Sequence, residues 1–429
     1  MLTAEQKQVC HALPPEKRKA MGVTRVLTVF FHPNISVTAI GGAEKRFIET
    51  LRFLCGNGVF EFYVLESPPS LLASSRIKCS KRVVSSRLSG GGWLGNYVCW
   101  VLWALKASVK GLEFARENKP KIIFVPNNTF PNLLAGYILS WILKLPLCVV
   151  VHHIDLPSLN VEGIGECSLY SCYRKVGYGC IVALVKAAAF YVIVSLLKKA
   201  NTIIAVSHFT AKSLRHSGVL KPKVFVSGNA VDTKSIGDVA PSECLKFYDA
   251  VFVGRISKEK GVFDLVEAWK KVVKVKGNAK LLIVGSGLEL KLLRNTVALS
   301  GLEKNVFVMG RCTDTVLFRL LKQSKVFVFP SLFEGWGISV AEALSCGLPV
   351  VAYDIPALRE VFGNCRSVFL VPVKDIDGLA SRILEVLGKN FWTYESLSFA
   401  ARSYVKRFSW EKVATRDLEI LRLLCAVRC

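Results

Sequence analysis

The stretch FEGWGISVAEALSCGLPVV (333–351) decides the fold of this chain and predicts where its ligand binds. It follows the apolar run KVFVFPS (325–331) and is predicted to form a helix from about Ser339. Gly347 and Pro349 end that helix before a second apolar run, LPVVAY. The order is therefore strand, glycine loop, helix and strand.

Two glutamates, Glu334 and Glu342, flank the Gly-Trp-Gly turn. A helix N-terminus behind such a turn offers free N–H groups and the positive end of a dipole to an anion. Glu342, one turn inside the helix, would repel that anion and suits neutral hydroxyls such as those of a ribose. Glu334 precedes the helix and can reach a second polyhydroxyl group. The pair predicts a phosphate with a sugar on each side, whereas the alternative is a capped surface helix with a stray acid.

Apolar strands alternate with helical patterns along nearly the whole chain, which predicts βαβ units and parallel sheets. The first series comprises VLTVFF (26–31), EFYVLE (61–66), KIIFVPN (121–127), LCVVVHH (147–153) and NTIIAVS (201–207). The second comprises DAVFVGRI (249–256), KLLIVGSG (280–287), NVFVMG (305–310), KVFVFPS and LPVVAY. A segment rich in Gly, Pro, Ser and Asp (228–249) separates them. We therefore predict two doubly wound Rossmann-like α/β domains that face each other across a ligand-binding cleft.

The whole phrase, with Pro-Ser before it and EA-x-x-x-G-x-PVV after it, resembles the retaining glycosyltransferases of family 4. Their signature is two glutamates with seven residues between them in this strand, loop and helix context. The resemblance covers roughly residues 24–420 and implies that Glu334 contacts the transferred sugar and Glu342 the nucleotide ribose. It also implies the GT-B fold.

The resemblance implies three parts of the chain. Residues 22–228 would form an N-terminal domain that faces the acceptor and a membrane, and residues 229–405 a C-terminal domain that binds the nucleotide sugar. Residues 406–429 would contain a last helix that returns to the first domain.

The loop VGRISKEKG (253–261) places Arg255 and Lys260 after the first strand of the second domain. A nucleotide sugar departs as a diphosphate, and two cations there would stabilise the developing charge. The order matches the family phrase V-G-R-x-x-x-x-K-G, although a basic loop by itself is usually a solvated surface. These cations account for donor binding without a metal or other cofactor. The D-x-D at Asp375 and Asp377 is predicted to be a capping turn.

In the first domain, Gly41 and Gly42 precede a predicted helix and permit close approach of a phosphate or acceptor. They resemble the family's GGAE element, in which Glu44 would begin the helix. The spacing does not fit G-x-G-x-x-G, which argues against a hydride-transfer cofactor.

His152 and His153 end a buried strand, and neighbouring strand residues point to opposite faces, so only one is expected in the cleft. The resemblance favours His152, with Asp155 as its partner, to hold the donor sugar or stabilise charge near it; the alternative is a structural histidine. The resemblance also implies further ligand contacts at Gly285, Gly287 and Arg311 for the base and ribose, and at Gly335, Trp336 and Gly337, whose amides would face the diphosphate.

The chain of 429 residues carries 57 Lys and Arg against 32 Asp and Glu, a formal charge of +25 that indicates an anionic partner. Nucleic acid, an anionic membrane and phosphorylated substrates all qualify. The 14 cysteines show no C-x-x-C, and most are predicted to be small buried hydrophobes in a reducing compartment. No signal peptide is visible in the polar first twenty residues, so we expect a cytoplasmic location.

Three apolar segments, 92–111, 133–145 and 180–200, interrupt the first domain. The last has Lys186 near its middle, which argues against a membrane span. We predict partial burial in a bilayer face; the alternative is a core helix packed on the sheet. A lipid-linked saccharide or glycolipid is the expected acceptor.

We therefore predict a retaining, metal-independent glycosyltransferase that moves a hexose of the mannose or glucose type from a nucleotide diphosphate sugar to an acceptor hydroxyl. It is expected to be peripheral at the cytoplasmic face of a membrane. A sugar-nucleotide epimerase of the same fold is the nearest alternative. A basic nucleic-acid-binding protein or an inactive membrane scaffold is the other, but no aromatic and basic RNA motif is present.

Overall fold

The computed structural model describes residues 23–32, 41–56, 58–75, 77, 79–85, 92–154, 168–239 and 246–426. The strands form two sheets, and every pairing in both is parallel. The first sheet contains β1 (Thr24–Phe30), β2 (Phe60–Glu66), β3 (Ser80–Val83), β4 (Ile122–Val125), β5 (Leu147–Val151), β6 (Thr202–Ala205) and β7 (Lys223–Val226). The second contains β8 (Tyr248–Val253), β9 (Leu281–Val284), β10 (Val306–Val308), β11 (Ser324–Phe329), β12 (Val350–Tyr353) and β13 (Val368–Val371).

Helices connect the strands and cover both sheets. Those of the first part of the chain are α1 (Gly42–Gly56), α2 (Leu71–Ser74), α3 (Gly92–Asn118), α4 (Phe130–Leu143), α5 (Leu169–Lys175), α6 (Cys180–Leu197), α7 (His208–His216) and α8 (Thr233–Asp238). Those of the second part are α9 (Val262–Val275), α10 (Leu290–Leu299), α11 (Asp314–Lys322), α12 (Ile338–Ser345), α13 (Pro356–Phe362), α14 (Ile376–Leu387), α15 (Phe391–Val405) and α16 (Trp410–Ala426).

The strand order is β3-β2-β1-β4-β5-β6-β7 in the first sheet and β10-β9-β8-β11-β12-β13 in the second. Helices on both faces bury the strands completely, which explains why β1 and β11 are continuous apolar runs. Each order reverses direction beside its first strand, between β1 and β4 and between β8 and β11. Such a switch point leaves a crevice at the carboxyl ends of the strands. The predicted pair of doubly wound domains is confirmed.

The last helix, α16, packs against α1 of the first domain. The Arg46 guanidinium, in α1, donates to Asp417 Oδ1 at 2.9 Å and to Ser227 Oγ at 2.6 Å. Arg46 and Asp417 are almost fully buried. Because Ser227 directly follows β7, this ion pair joins the start of the first domain, the connection between the sheets and the end of the described chain.

The three apolar segments form α3, α4 and α6, which cover one face of the first sheet and share one core with it. The outer side of this layer exposes large apolar side chains on all three helices, including Val109, Trp141, Ile181, Leu184 and Tyr191. We call this surface the apolar face. Among the described residues, only Cys180–Leu197 is long and apolar enough to cross a membrane, and 28% of it is buried.

The D-x-D pair has a structural role. Asp375 precedes α14, and its Oδ1 accepts a 2.7 Å hydrogen bond from the Gly378 amide. Asp377 pairs with Lys271 at 2.6 Å. The predicted capping turn is therefore present.

Cysteines are less buried than the sequence analysis expected. Nine of the described cysteines are free thiols, and three of these are buried: Cys148, Cys346 and Cys365. Cys172 is disulfide-bonded.

Candidate active site

Two helices that begin at glycines meet across the cleft. Gly42 begins α1 in the first domain, and Gly337, with a φ of 99°, precedes α12 in the second. A β carbon at Gly42 would lie only 3.1 Å from Ile338 Cδ1 at the start of α12. The two N-termini that the sequence predicted as anion sites therefore face the same space, although they are about 300 residues apart in sequence.

Lys260 and Glu334 form an ion pair at the edge of this space. Lys260 ends a short 3-10 helix, Lys258–Lys260, after β8, and Glu334 lies in the loop after β11. Since β8 and β11 are neighbours in the sheet, their loops emerge side by side. Ser331 Oγ donates a second hydrogen bond of 3.2 Å to the same carboxylate oxygen. The residues that the sequence assigned to phosphate and to sugar are thus in direct contact.

Glu342 has a partner that the sequence analysis missed. Lys45, in α1, donates to Glu342 Oε1 at 2.6 Å and to Asp314 Oδ2 at 3.0 Å, and so bridges the two domains. Burial opposes its charge, but the two carboxylates outweigh burial and raise the pKa of Lys45. Nothing in GGAEKRF distinguishes this lysine from a surface residue, because its partners lie far along the chain.

A cavity of about 120 Å³ lies between the domains next to the Lys260–Glu334 pair. The first domain contributes two of its lining side chains and the second domain five: His153, Lys186, Arg255, Glu259, Lys260, Phe333 and Glu334. Arg255, Lys260 and Glu334 thus converge as the sequence predicted. His153, Lys186 and Glu259 were not anticipated.

The structure brings His153, rather than the predicted His152, to the cavity wall. Both lie beyond the end of β5, where strand alternation no longer sets the direction of the side chains. His152 Nε2 is 3.1 Å from the Pro126 carbonyl oxygen, and because a carbonyl only accepts, this nitrogen carries the proton. Burial lowers the pKa of His152 to about 3, so the ring is neutral. Asp155, its predicted partner, lies outside the described residues.

His152 does meet the second domain through its backbone. A β carbon at Gly335 would overlap the His152 carbonyl oxygen. The first glycine of the Gly-Trp-Gly turn is therefore required for close approach of the two domains. Between the glycines, Trp336 is 4% exposed and packs on the rings of Phe362 and Phe408, so only its backbone is available to a ligand.

Gly285, Gly287 and Arg311 lie in the loops after β9 and β10. The Gly285 amide donates to the Gly310 carbonyl at 2.9 Å, which joins these loops. Arg311 and Arg255 are both near Glu44 of the first domain. Burial raises the pKa of Glu44, and the two arginines offset this only in part. The predicted base and ribose loops are therefore adjacent to the start of α1.

Glu259 connects the cation loop to the first domain. It lies 3.6 Å from Arg255 Nη2 and accepts a hydrogen bond from the Tyr178 hydroxyl, just before α6. Burial alone would raise the pKa of Glu259, but Arg255, Tyr178 and Lys186 lower it to about 2. Lys258 Nζ also donates to the Gly177 carbonyl at 2.5 Å. The segment before α6 thus holds the loop that carries Arg255 and Lys260.

Two family models match successive parts of the chain. Residues 40–235 match Glycosyltransferase Family 4, and residues 243–404 match Glycosyl transferases group 1. The division between the two matches falls between the two sheets.

Among relatives, the chain is 28% identical over 196 residues to the O-antigen chain mannosyltransferase B of Escherichia coli, covering 43% of this chain and 51% of the relative. It is 30% identical over 172 residues to a phosphatidyl-myo-inositol mannosyltransferase of Mycobacterium leprae, covering 40% and 45%. The chain thus spans about half the length of these two relatives.

Among solved structures, HepE of Anabaena in complex with UDP and glucose matches with a TM-score of 0.65 and 20% identity. The match covers 92% of this chain and 99% of HepE. It shows the shared fold, in which two parallel-sheet domains face a cleft.

Proposed function

The chain belongs to glycosyltransferase family 4, and we propose that it transfers a hexose of the mannose or glucose type from a nucleotide diphosphate sugar to an acceptor hydroxyl. The transfer proceeds with retention at the anomeric carbon and requires no metal. The observation that carries this proposal is the convergence of Arg255, Lys260 and Glu334 on one interdomain cavity.

Lys260 and Glu334 have complementary tasks in this proposal. The donor diphosphate lies between Arg255, Lys260 and the amides around Gly335. When the diphosphate binds Lys260, the Glu334 carboxylate is released to accept hydrogen bonds from hydroxyls of the sugar. The two cations stabilise the charge that develops on the departing diphosphate, which supplies the electrostatic help needed for a reaction without a metal.

Glu342 binds the ribose in the same arrangement. Its Oε1 accepts from Lys45, which leaves Oε2 for a ribose hydroxyl. Because Lys45 belongs to the first domain, the ribose site is completed only when the domains are closed. Closure also excludes water, which protects the donor from hydrolysis.

The acceptor is a lipid-linked saccharide or glycolipid, and the protein is peripheral at the cytoplasmic face of an anionic membrane. The apolar face supports this proposal because it is accompanied by cations. A groove between β3 and α3 combines the exposed Val83, Leu105 and Val109 with Arg82, Lys106 and Lys110. Apolar burial and the attraction of basic residues to anionic lipid act together at such surfaces. One relative is, by its name, a mannosyltransferase of phosphatidyl-myo-inositol.

Thermal-shift measurements with UDP, GDP and ADP test the donor site. A nucleoside diphosphate at a hundred times its dissociation constant stabilises a protein by roughly 2.7 kcal/mol, which raises the melting temperature by a few degrees. If none of the three raises it, the donor assignment is wrong.

The products separate the proposal from its alternative. A transferase forms a glycoside only when an acceptor is present. An epimerase of the same fold converts or hydrolyses the nucleotide sugar without any acceptor, and that result would favour the alternative.

A further inference from the structure

Lys186 lies on the side of α6 that faces the cavity. With about 100° between successive residues of a helix, Ile181, Leu184 and Tyr191 all lie within about 40° of the direction opposite to Lys186. These three are 62 to 75% exposed. Helix α6 therefore has the apolar face on one side and the cleft on the other, and its lysine belongs to the cleft.

The ammonium group of Lys186 is held by aromatic rings. It lies 5.2 Å from the ring centre of Tyr173 and 4.8 Å from that of Tyr178. In the part of the chain that the structure describes, it forms no ion pair with a carboxylate within 4.0 Å. Cation–π contacts position a charge without neutralising it.

The charges that line the cavity do not balance. Lys260 is paired with Glu334, and Arg255 lies beside Glu259. Lys186 is the remaining cation of the lining, so it gives the cavity a net positive charge on the wall formed by the first domain. A partly enclosed cation of this kind favours an anionic ligand.

We infer that Lys186 binds an anionic group of the acceptor, namely the phosphate that joins a saccharide to its lipid. This inference rests on the proposed function and deepens it. The donor diphosphate is assigned to cations of the second domain, whereas Lys186 approaches from the opposite wall. A lipid that lies along the apolar face of α6 has its phosphate near this end of the cleft. Tyr173 and Tyr178 are then positioning residues that direct the ammonium into the cavity.

Geranyl phosphate, a short soluble lipid phosphate, is the probe. Calorimetry measures its dissociation constant in the presence of the nucleoside diphosphate that gives the largest thermal shift, at saturating concentration. The wild type is expected to bind it, and Lys186→Gln to bind it roughly tenfold more weakly or worse, as expected for the loss of a charged hydrogen bond. Lys186→Arg keeps the charge and is expected to keep most of the affinity. Lys199→Gln, which removes an exposed lysine just beyond the end of α6, is the matched control and is expected to bind like the wild type.

Several outcomes overturn the inference. Equal binding by the wild type and Lys186→Gln does so, and so does equal binding of geraniol, which lacks the phosphate. Displacement of geranyl phosphate by the nucleoside diphosphate assigns Lys186 to the donor instead. If Lys186→Gln does not fold, the comparison of geranyl phosphate with geraniol in the wild type and in Lys186→Arg decides. The absence of any nucleotide binding contradicts the proposed function, but the geranyl phosphate comparison still tests Lys186.

Discussion

Lys45 in α1 and Glu342 in α12 are joined by a hydrogen bond of 2.6 Å that crosses from one domain to the other. Their side chains are 13% and 8% exposed, so the pair is largely shielded from water. The carboxylate that we assign to the ribose is therefore oriented by the opposite domain. Binding of the nucleotide and closure of the cleft depend on the same side chain.

Substitution of Lys45 by Met should destabilise the protein and weaken nucleotide binding. It leaves the carboxylate of Glu342 without its cation, and breaking a buried pair in this way costs roughly 3 kcal/mol. The free energy of unfolding, from urea denaturation, and the dissociation constant of the nucleoside diphosphate measure the two effects. Lys270→Met, which removes an exposed pair with Glu267, should cost less than about 1 kcal/mol. Equal losses in the two variants would contradict the assigned role of Lys45.

Glu334→Gln should lower kcat for glycosyl transfer by roughly a hundredfold or more, because a directed charged contact to the reacting sugar is lost. The affinity for the nucleoside diphosphate should change little, since Arg255 and Lys260 remain. Steady-state kinetics and calorimetry separate the two. A variant that retains full turnover would exclude Glu334 from the sugar site.

Gly335→Ala should impair closure of the cleft. The added methyl group overlaps the His152 carbonyl oxygen, and such overpacking costs about 1–3 kcal/mol. We expect kcat/KM to fall by roughly tenfold or more, with an increased radius of gyration in solution scattering. Gly277→Ala is the control, because its β carbon has no atom within 4 Å. The prediction is wrong if both variants behave alike.

Folding stability should decrease in mild acid partly because of His152. Its pKa is about 3 in the folded protein and 6.5 when unperturbed, so below about pH 6.5 the unfolded chain takes up a proton that the folded protein does not. Between pH 7.5 and 5.0 this destabilises the folded state by roughly 2 kcal/mol. His152→Asn removes that contribution, so the variant should lose about 2 kcal/mol less over this range in urea denaturation. Identical losses would show that His152 is not held neutral.

Leu184→Glu should weaken association with membranes. Leu184 is 62% exposed on the apolar face, and a carboxylate there opposes both apolar burial and attraction to anionic lipid. Co-sedimentation with vesicles that contain phosphatidylglycerol measures the effect. Leu288→Glu, which alters a 97% exposed residue of the second domain, is the control and should bind vesicles like the wild type. If neither variant differs from the wild type, the apolar face does not contact the membrane.

The sequence predicted the parts of the site that follow consecutive strands. Arg255, Lys260, Glu334 and Glu342 lie in loops and helix starts whose order is set by the βαβ pattern, and parallel strands bring their carboxyl ends to one edge. Contacts across the cleft were not predictable in this way. Lys45 stands in an ordinary helical stretch, and nothing near it in sequence resembles Glu342.

The histidines illustrate the same limit. Alternation along a strand predicted that only one of His152 and His153 enters the cleft, but both residues lie just beyond β5. Their directions are set by the Pro126 carbonyl and by the loop that carries Gly335, which belong to other parts of the fold.

The sequence by itself determined the two parallel-sheet domains and the half of the cleft that carries Glu334 and Glu342, because apolar periodicity and loop order are local properties of the chain. Only the tertiary structure decided what faces those glutamates. Lys45, His153 and Lys186 acquire their positions from the packing of one domain against the other. The residues they meet are 181 to 297 positions away in the case of His153 and Lys45, beyond the reach of any local pattern.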